Sequence, residues 1–139
     1  MINLDENNEF KIKLNASQTY ALIREYYKKY EGFDGEIQFD LYSKGFNDGW
    51  GFTDYYGRIN LIFIEKIKIG DTISEIKTTL DYEKISTKKI FQPFFEDAGY
   101  ELTGTRYFDF DVSNYGNKVR FNSLTLYAKK KINEKVLKK

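Results

Sequence analysis

The side chains best equipped for chemistry in this 139-residue chain are carboxylates. Asp48 and Asp54 lie in a stretch crowded with aromatic residues. Asp109 and Asp111 are spaced i, i+2, which puts them on one face of any strand that carries them. Two aspartates at that spacing can share a divalent cation through oxygen ligands. The same spacing is commoner as solvated charge on the wet side of a sheet, and it is read that way here, with no metal site assigned. The chain contains neither His nor Cys. It therefore lacks the commonest general base, the commonest metal ligand, any thiol nucleophile and any disulfide framework. It has no phosphate-binding loop, no dinucleotide-binding glycine fingerprint and no G-x-S-x-G elbow. The expectation is a protein that is not an enzyme, with no catalytic residues, metal or cofactor.

The most unusual segment is Gly45-Phe46-Asn47-Asp48-Gly49-Trp50-Gly51-Phe52-Thr53-Asp54-Tyr55-Tyr56-Gly57, with five aromatics, including the only Trp, among four glycines and two aspartates. Rigid aromatic side chains supply large contact area at small entropic cost, and Trp and Tyr concentrate in interface hot spots. The segment would also serve as a hairpin whose aromatics simply face the core. We expect Phe46, Asp48, Trp50, Phe52, Asp54, Tyr55 and Tyr56 to bind a macromolecular protein partner. A wet sheet face carrying Glu36, Gln38, Asp40 and Tyr42 would extend that surface.

Charge offers an alternative. The net charge is +1, but the last eleven residues hold six lysines against one glutamate. Lys129, Lys130, Lys131, Lys135, Lys138 and Lys139 could neutralise phosphates, and exposed aromatics could stack bases, as in a single-stranded nucleic-acid binder. The same tail reads equally as a solubilising extension. A third reading is a small-molecule or nucleotide binder with its ligand in a groove between two pseudo-repeats.

The elements that must position these residues follow from periodicity. Phe10–Leu14 alternates apolar and basic residues, as a half-buried strand does. Asn15-Ala16-Ser17-Gln18 is a capping box opening a helix over 16–31, with Ala16, Tyr20, Ile23, Tyr27 and Tyr30 along one stripe and Gly32 closing it. Glu36–Ser43 alternates with Ile37, Phe39 and Leu41 on one side, as in an antiparallel strand. Trp50–Thr53 reads as a short strand and Tyr56-Gly57 as a turn. Arg58–Ile69, apolar on both faces at first, reads as a central strand. Asp71 reads as the N-cap of a second helix over 72–82. Residues 86–98 read either as an edge strand, which tolerates Pro93, or as a third helix opened by Ser86 and ended by Gly99. The proline favours the strand. Arg106–Val112 and Lys118–Lys129 read as a hairpin around Asn114-Tyr115-Gly116-Asn117, with a slip at Asn122-Ser123.

Lys11-Ile12-Lys13-Leu14 is echoed by Lys66-Ile67-Lys68-Ile69, each ahead of a capped helix. This suggests two β-α-β-β-β pseudo-repeats, roughly 10–69 and 66–128. The predicted class is α+β, with a single antiparallel sheet of about 6–8 strands and two helices on one face. Residues 1–128 form one domain and 129–139 a basic tail. No apolar stretch is long enough to span a membrane, and the polar start does not resemble a secretory signal, so a cytoplasmic protein is expected. Lysine outnumbers arginine 18 to 4, a bias of AT-rich genomes. The functional expectation is a non-enzymatic protein-binding module of a low-GC bacterium or its phage. Its role would be that of an inhibitor, immunity or counter-defence protein, for example of anti-CRISPR type.

Overall fold

The computed structural model describes residues 9–131, and the protein is α+β with two helices and antiparallel strands. Strand β1 (Glu9–Asn15) leads into helix α1 (Ala16–Tyr30). The capping box forms as the sequence predicts: Gln18 N–H donates to Asn15 Oδ1 at 2.8 Å and Asn15 N–H to Gln18 Oε1 at 3.0 Å. Gly32, at φ 67°, ends the helix, and Phe33 N–H closes onto the Tyr27 carbonyl. Strands β2 (Glu36–Asn47) and β3 (Thr53–Ile69) form a long hairpin. Gly57 therefore lies inside a strand and residues 48–52 form the loop, so the short strand at 50–53 and the turn at 56–57 are not present.

Residues 72–80 are strand β4 (Thr72–Leu80), not a helix. Gly70, at φ 59°, and Asp71 form a two-residue loop between the paired Ile69 and Thr72. A glycine at positive φ in such a loop suits the twist of a hairpin. Thr72, Ile73, Ile76, Thr78 and Thr79 are β-branched and favour the strand. The second helix is α2 (Thr87–Asp97), with Ser86 Oγ accepting from Lys89 N–H at 3.2 Å. The edge-strand reading fails because Ile90 and Phe91 become 1% exposed on the helix. Burying each gives about 1.5–3 kcal/mol, which together outweigh the roughly 3 kcal/mol cost of an interior proline. Strands β5 (Tyr100–Ser113) and β6 (Lys118–Lys130) form the expected hairpin. The register shifts between Asp109↔Ser123 and Phe110↔Phe121, leaving Asn122 as the extra residue of a bulge.

The strands divide into two three-stranded sheets, β1-β6-β5 and β2-β3-β4, rather than one. The chain order is β-α-β-β twice, β1-α1-β2-β3 and then β4-α2-β5-β6. The repeating unit is thus one strand shorter than the predicted one. Its second copy starts at β4, so the lysine-isoleucine echo at 66–69 belongs to the end of β3. Each unit lends its first strand to the other: β1 pairs with β6, and β4 with β3. The two sheets meet where β2 packs on β6 and β3 on β5. Ile23 and Tyr26 of α1, Ile90 and Phe91 of α2, Ile59 and Leu61 of β3, and Phe121, Leu124 and Leu126 of β6 fill the core. Tyr20 stacks on Phe39 at 4.0 Å and approaches Phe121 at 5.6 Å, tying both sheets to α1. No helix among the described residues is long and apolar enough to cross a membrane.

Candidate functional site

The aromatic segment lies at the far end of the β2–β3 hairpin. Cross-strand pairing runs out to Asn47↔Thr53, and the loop beyond is pinned by its own polar groups. Asn47 Oδ1 accepts from Gly49 N–H at 2.8 Å. Asp48 Oδ1 accepts from Trp50 N–H at 2.7 Å and Phe52 N–H at 3.2 Å, and Asp48 N–H donates to the Phe52 carbonyl at 3.0 Å. Gly49 and Gly51 take φ of 82° and 89°, which keeps this tight path open to the backbone. Asp48 is thus a structural acceptor. With both apolar side chains turned outward, Trp50 is 86% exposed and Phe52 69%.

Below the loop the two faces of the hairpin differ. On one face Phe46 meets Tyr56 edge-to-face at 5.5 Å, with Asp54 directly across from Phe46. Lys44 lies 5.4 Å from the Phe46 ring, and the Arg58 guanidinium lies 5.9 Å from both rings. Arg58 also donates to the Gly57 carbonyl at 2.9 Å, while its Nε is buried without a partner among the described residues. On the other face, Tyr55 packs beside the β5–β6 turn. Ser43 Oγ donates to the Gly116 carbonyl at 2.6 Å there, and a side chain on Gly116 would collide with the Tyr55 ring. The preceding residue, Tyr115, is 85% exposed.

The structure therefore brings Phe46, Trp50, Phe52, Asp54, Tyr55 and Tyr56 to one exposed tip. The β5–β6 turn, which meets this hairpin at Gly116, carries the exposed Tyr115, which sequence reading treats only as a turn residue. The one local signal for Tyr115 is an aromatic in a turn that otherwise consists of Asn and Gly. Glu36, Gln38 and Asp40 are exposed along β2, and Tyr42 is half-buried, with Ile37, Phe39 and Leu41 turned inward as the alternation predicts. Burial raises the Tyr42 phenol above its ordinary value, with the nearby Asp81 carboxylate acting in the same direction.

The remaining candidates are dispersed. Asp111 pairs with Arg120, whose hydrogen bond holds the carboxyl below its ordinary range, and Asp109 accepts from Asn122 Nδ2 at 3.3 Å. Among the described residues no group of three potential metal ligands comes together. Lys129 and Lys130 end β6, where the register sets Glu9 and Glu101 on either side of Lys129. Lys131 N–H donates to the Gly99 carbonyl at 2.8 Å. Lys135, Lys138 and Lys139 lie outside the described residues. A cleft of about 450 Å³ is lined by Arg24 and Lys28 of α1, the 33–35 loop, and Glu36 and Ile37 of β2. It lies within the first β-α-β-β unit, not between the units.

No protein-family model, curated protein or solved structure matches this chain.

Proposed function

We propose that this protein is a non-enzymatic binding module that docks a protein partner through the tip of the β2–β3 hairpin. The observation that carries the reading is the exposure of Trp50 and Phe52 on a loop whose backbone is fixed by Asn47 and Asp48. Large apolar side chains carried on a fixed backbone lose less entropy on binding than those on a mobile loop and gain the burial of their surface. Nothing in the folding of the hairpin requires them there, since their side chains pack on no core.

The charge at the tip favours a protein over a nucleic acid. Asp48 and Asp54 offset Lys44 and Arg58, so the aromatic surface carries no net positive field to gather phosphates. The flanking glutamates of Lys129 weaken the tail reading in the same way. Within the binding class, an inhibitor or counter-defence role is the specific form that composition suggests.

The test is capture from host lysate followed by native mass spectrometry, with wild type beside a Trp50→Ala/Phe52→Ala variant. A stoichiometric protein bound by wild type and lost by the variant is the expected outcome. A co-purifying oligonucleotide, or equal capture of the same protein by the variant, would overturn the assignment.

A further inference from the structure

The other end of β3 carries a second surface, independent of the aromatic tip. Among the described residues strand β4 pairs with β3 alone, over Leu61↔Leu80 through Ile69↔Thr72, without a bulge. No described residue pairs with its outer edge, and every residue from Thr72 to Thr79 except the half-buried Ser74 is exposed. An open edge strand is a ready template for another strand unless proline, a bulge or repelling charge blocks it. Beta4 has no proline and no bulge, and its two charges, Glu75 and Lys77, are of opposite sign. Neither is in an ion pair among the described residues.

The placement of those charges is self-complementary. Two copies of β4 related by a twofold axis perpendicular to the sheet pair antiparallel, and residues opposite one another must then share a face. Full overlap of the nine residues sets the midpoint, Ile76, on the axis. That register places Glu75 opposite Lys77 of the second copy, twice, and Ser74 opposite Thr78. Slipping to the neighbouring allowed registers sets Glu75 against Glu75 or Lys77 against Lys77, and like charges directly opposite are destabilising. Only the fully overlapped register satisfies both charges. On the face that holds Leu61 and Phe63, β3 runs on through Glu65, Ile67 and Ile69, and β4 sets Ile76 opposite Glu65. Ile69 is 60% exposed and Ile76 42%. The second copy would set its own Ile76 against Ile76 on the axis.

We propose that the protein forms a twofold dimer through β4, joining the β2-β3-β4 sheets into one six-stranded antiparallel sheet. The hairpin tips stand at the opposite end of the 17-residue β3 and remain free in the dimer.

Analytical ultracentrifugation of the full chain tests this. Wild type is expected to sediment at twice the 16.5 kDa chain mass. Glu75→Lys and Lys77→Glu, both at exposed positions, should each raise the dimer dissociation constant on the order of tenfold or more by opposing like charges. Mixing the two variants, or combining both changes in one chain, restores opposite-charge pairing and the dimer. In this cysteine-free chain, Ile76→Cys should cross-link to its own copy on oxidation. Directly opposed residues in antiparallel strands lie about 4.5–5.5 Å apart at Cα, within disulfide reach. Ser74→Cys should not, since full overlap separates the two copies of Ser74 by four residues along the strand. A wild-type monomer at high micromolar concentration would overturn the proposal and leave the edge for a strand from another protein. So would a dimer indifferent to both charge reversals, or equal cross-linking through Ser74→Cys.

Discussion

Tyr115 takes a φ of 54°, the left-handed region, while its ring stands 85% exposed. An L-residue there costs about 1–2 kcal/mol, which glycine avoids. Asn114, with the same φ, is a residue type that tolerates it. Tyr115→Gly is therefore expected to raise stability by about 1 kcal/mol in thermal or urea unfolding. If the ring belongs to the docking surface, the same change lowers partner affinity. A gain in stability with unchanged affinity would remove Tyr115 from the site. A second expectation concerns Tyr26, which is 4% exposed and donates to Glu31 Oε1 at 2.6 Å. Burial, then the hydrogen bond and charge of Glu31, push its phenol up to about 12 from an ordinary 10.0. The folded state thus favours the neutral phenol. Its contribution to stability should be constant below pH 10 and fall as pH rises from 10 towards 12, where only the unfolded chain ionises. Glu31 runs the opposite way, held below its ordinary value by Tyr26 and then by Lys89. Its contribution is present above the ordinary carboxylate range and is lost as pH falls through that range. Tyr26→Phe should cost about 1 kcal/mol at neutral pH and flatten the alkaline fall, as read by urea titration across pH.

At the scale of elements, Pro93 tests why α2 is a helix. The helix is set by Ile90 and Phe91 in the core, against the local preference of the proline. Pro93→Ala should keep the fold and raise stability by about 1–3 kcal/mol, since it restores a helical N–H and removes a steric clash. A loss of stability would show that the ring's own packing outweighs its backbone cost. The contrast with α1 shows which elements the sequence makes legible. In α1 the cap, the stripe and the terminal glycine all agree. The β5–β6 hairpin and its bulge at Asn122 are also readable, because alternation fails at one point and resumes. Residues 72–80 and 86–98 carry conflicting local signals, and long-range partners resolve them: the open edge of β3 for one, the core for the other. The tip is legible because its composition is unusual in itself. Tyr115 is not, because the turn that carries it meets Tyr55, through Gly116, only when two hairpins about sixty residues apart come together in space.

For the molecule as a whole, Gly57 marks where the two sheets close on each other. A side-chain carbon there would sit 2.3 Å from the Phe110 ring, so β3 and β5 can approach only across a glycine. Gly57→Ala should destabilise by about 1–3 kcal/mol through overpacking. Combined with Phe110→Ala, the two losses should add to less than their sum, since the second change vacates the space the first needs. Strict additivity in urea unfolding would place the strain elsewhere. The exchange of β1 and β4 between the two β-α-β-β units ties this junction to both ends of the molecule. The aromatic tip stands at one end of β3 and the β4 edge at the other. A dimer through β4 would therefore carry two tips, and a multivalent partner would be held more tightly than one tip allows. With the β2–β3 tip proposed as the docking surface, the only Trp in the chain reports on it directly. The decisive measurement is acrylamide quenching of Trp50 fluorescence in the free protein and in the complex recovered from host lysate. Strong quenching is expected when the protein is free and marked protection in the complex. Trp50 equally quenchable in both would contradict it.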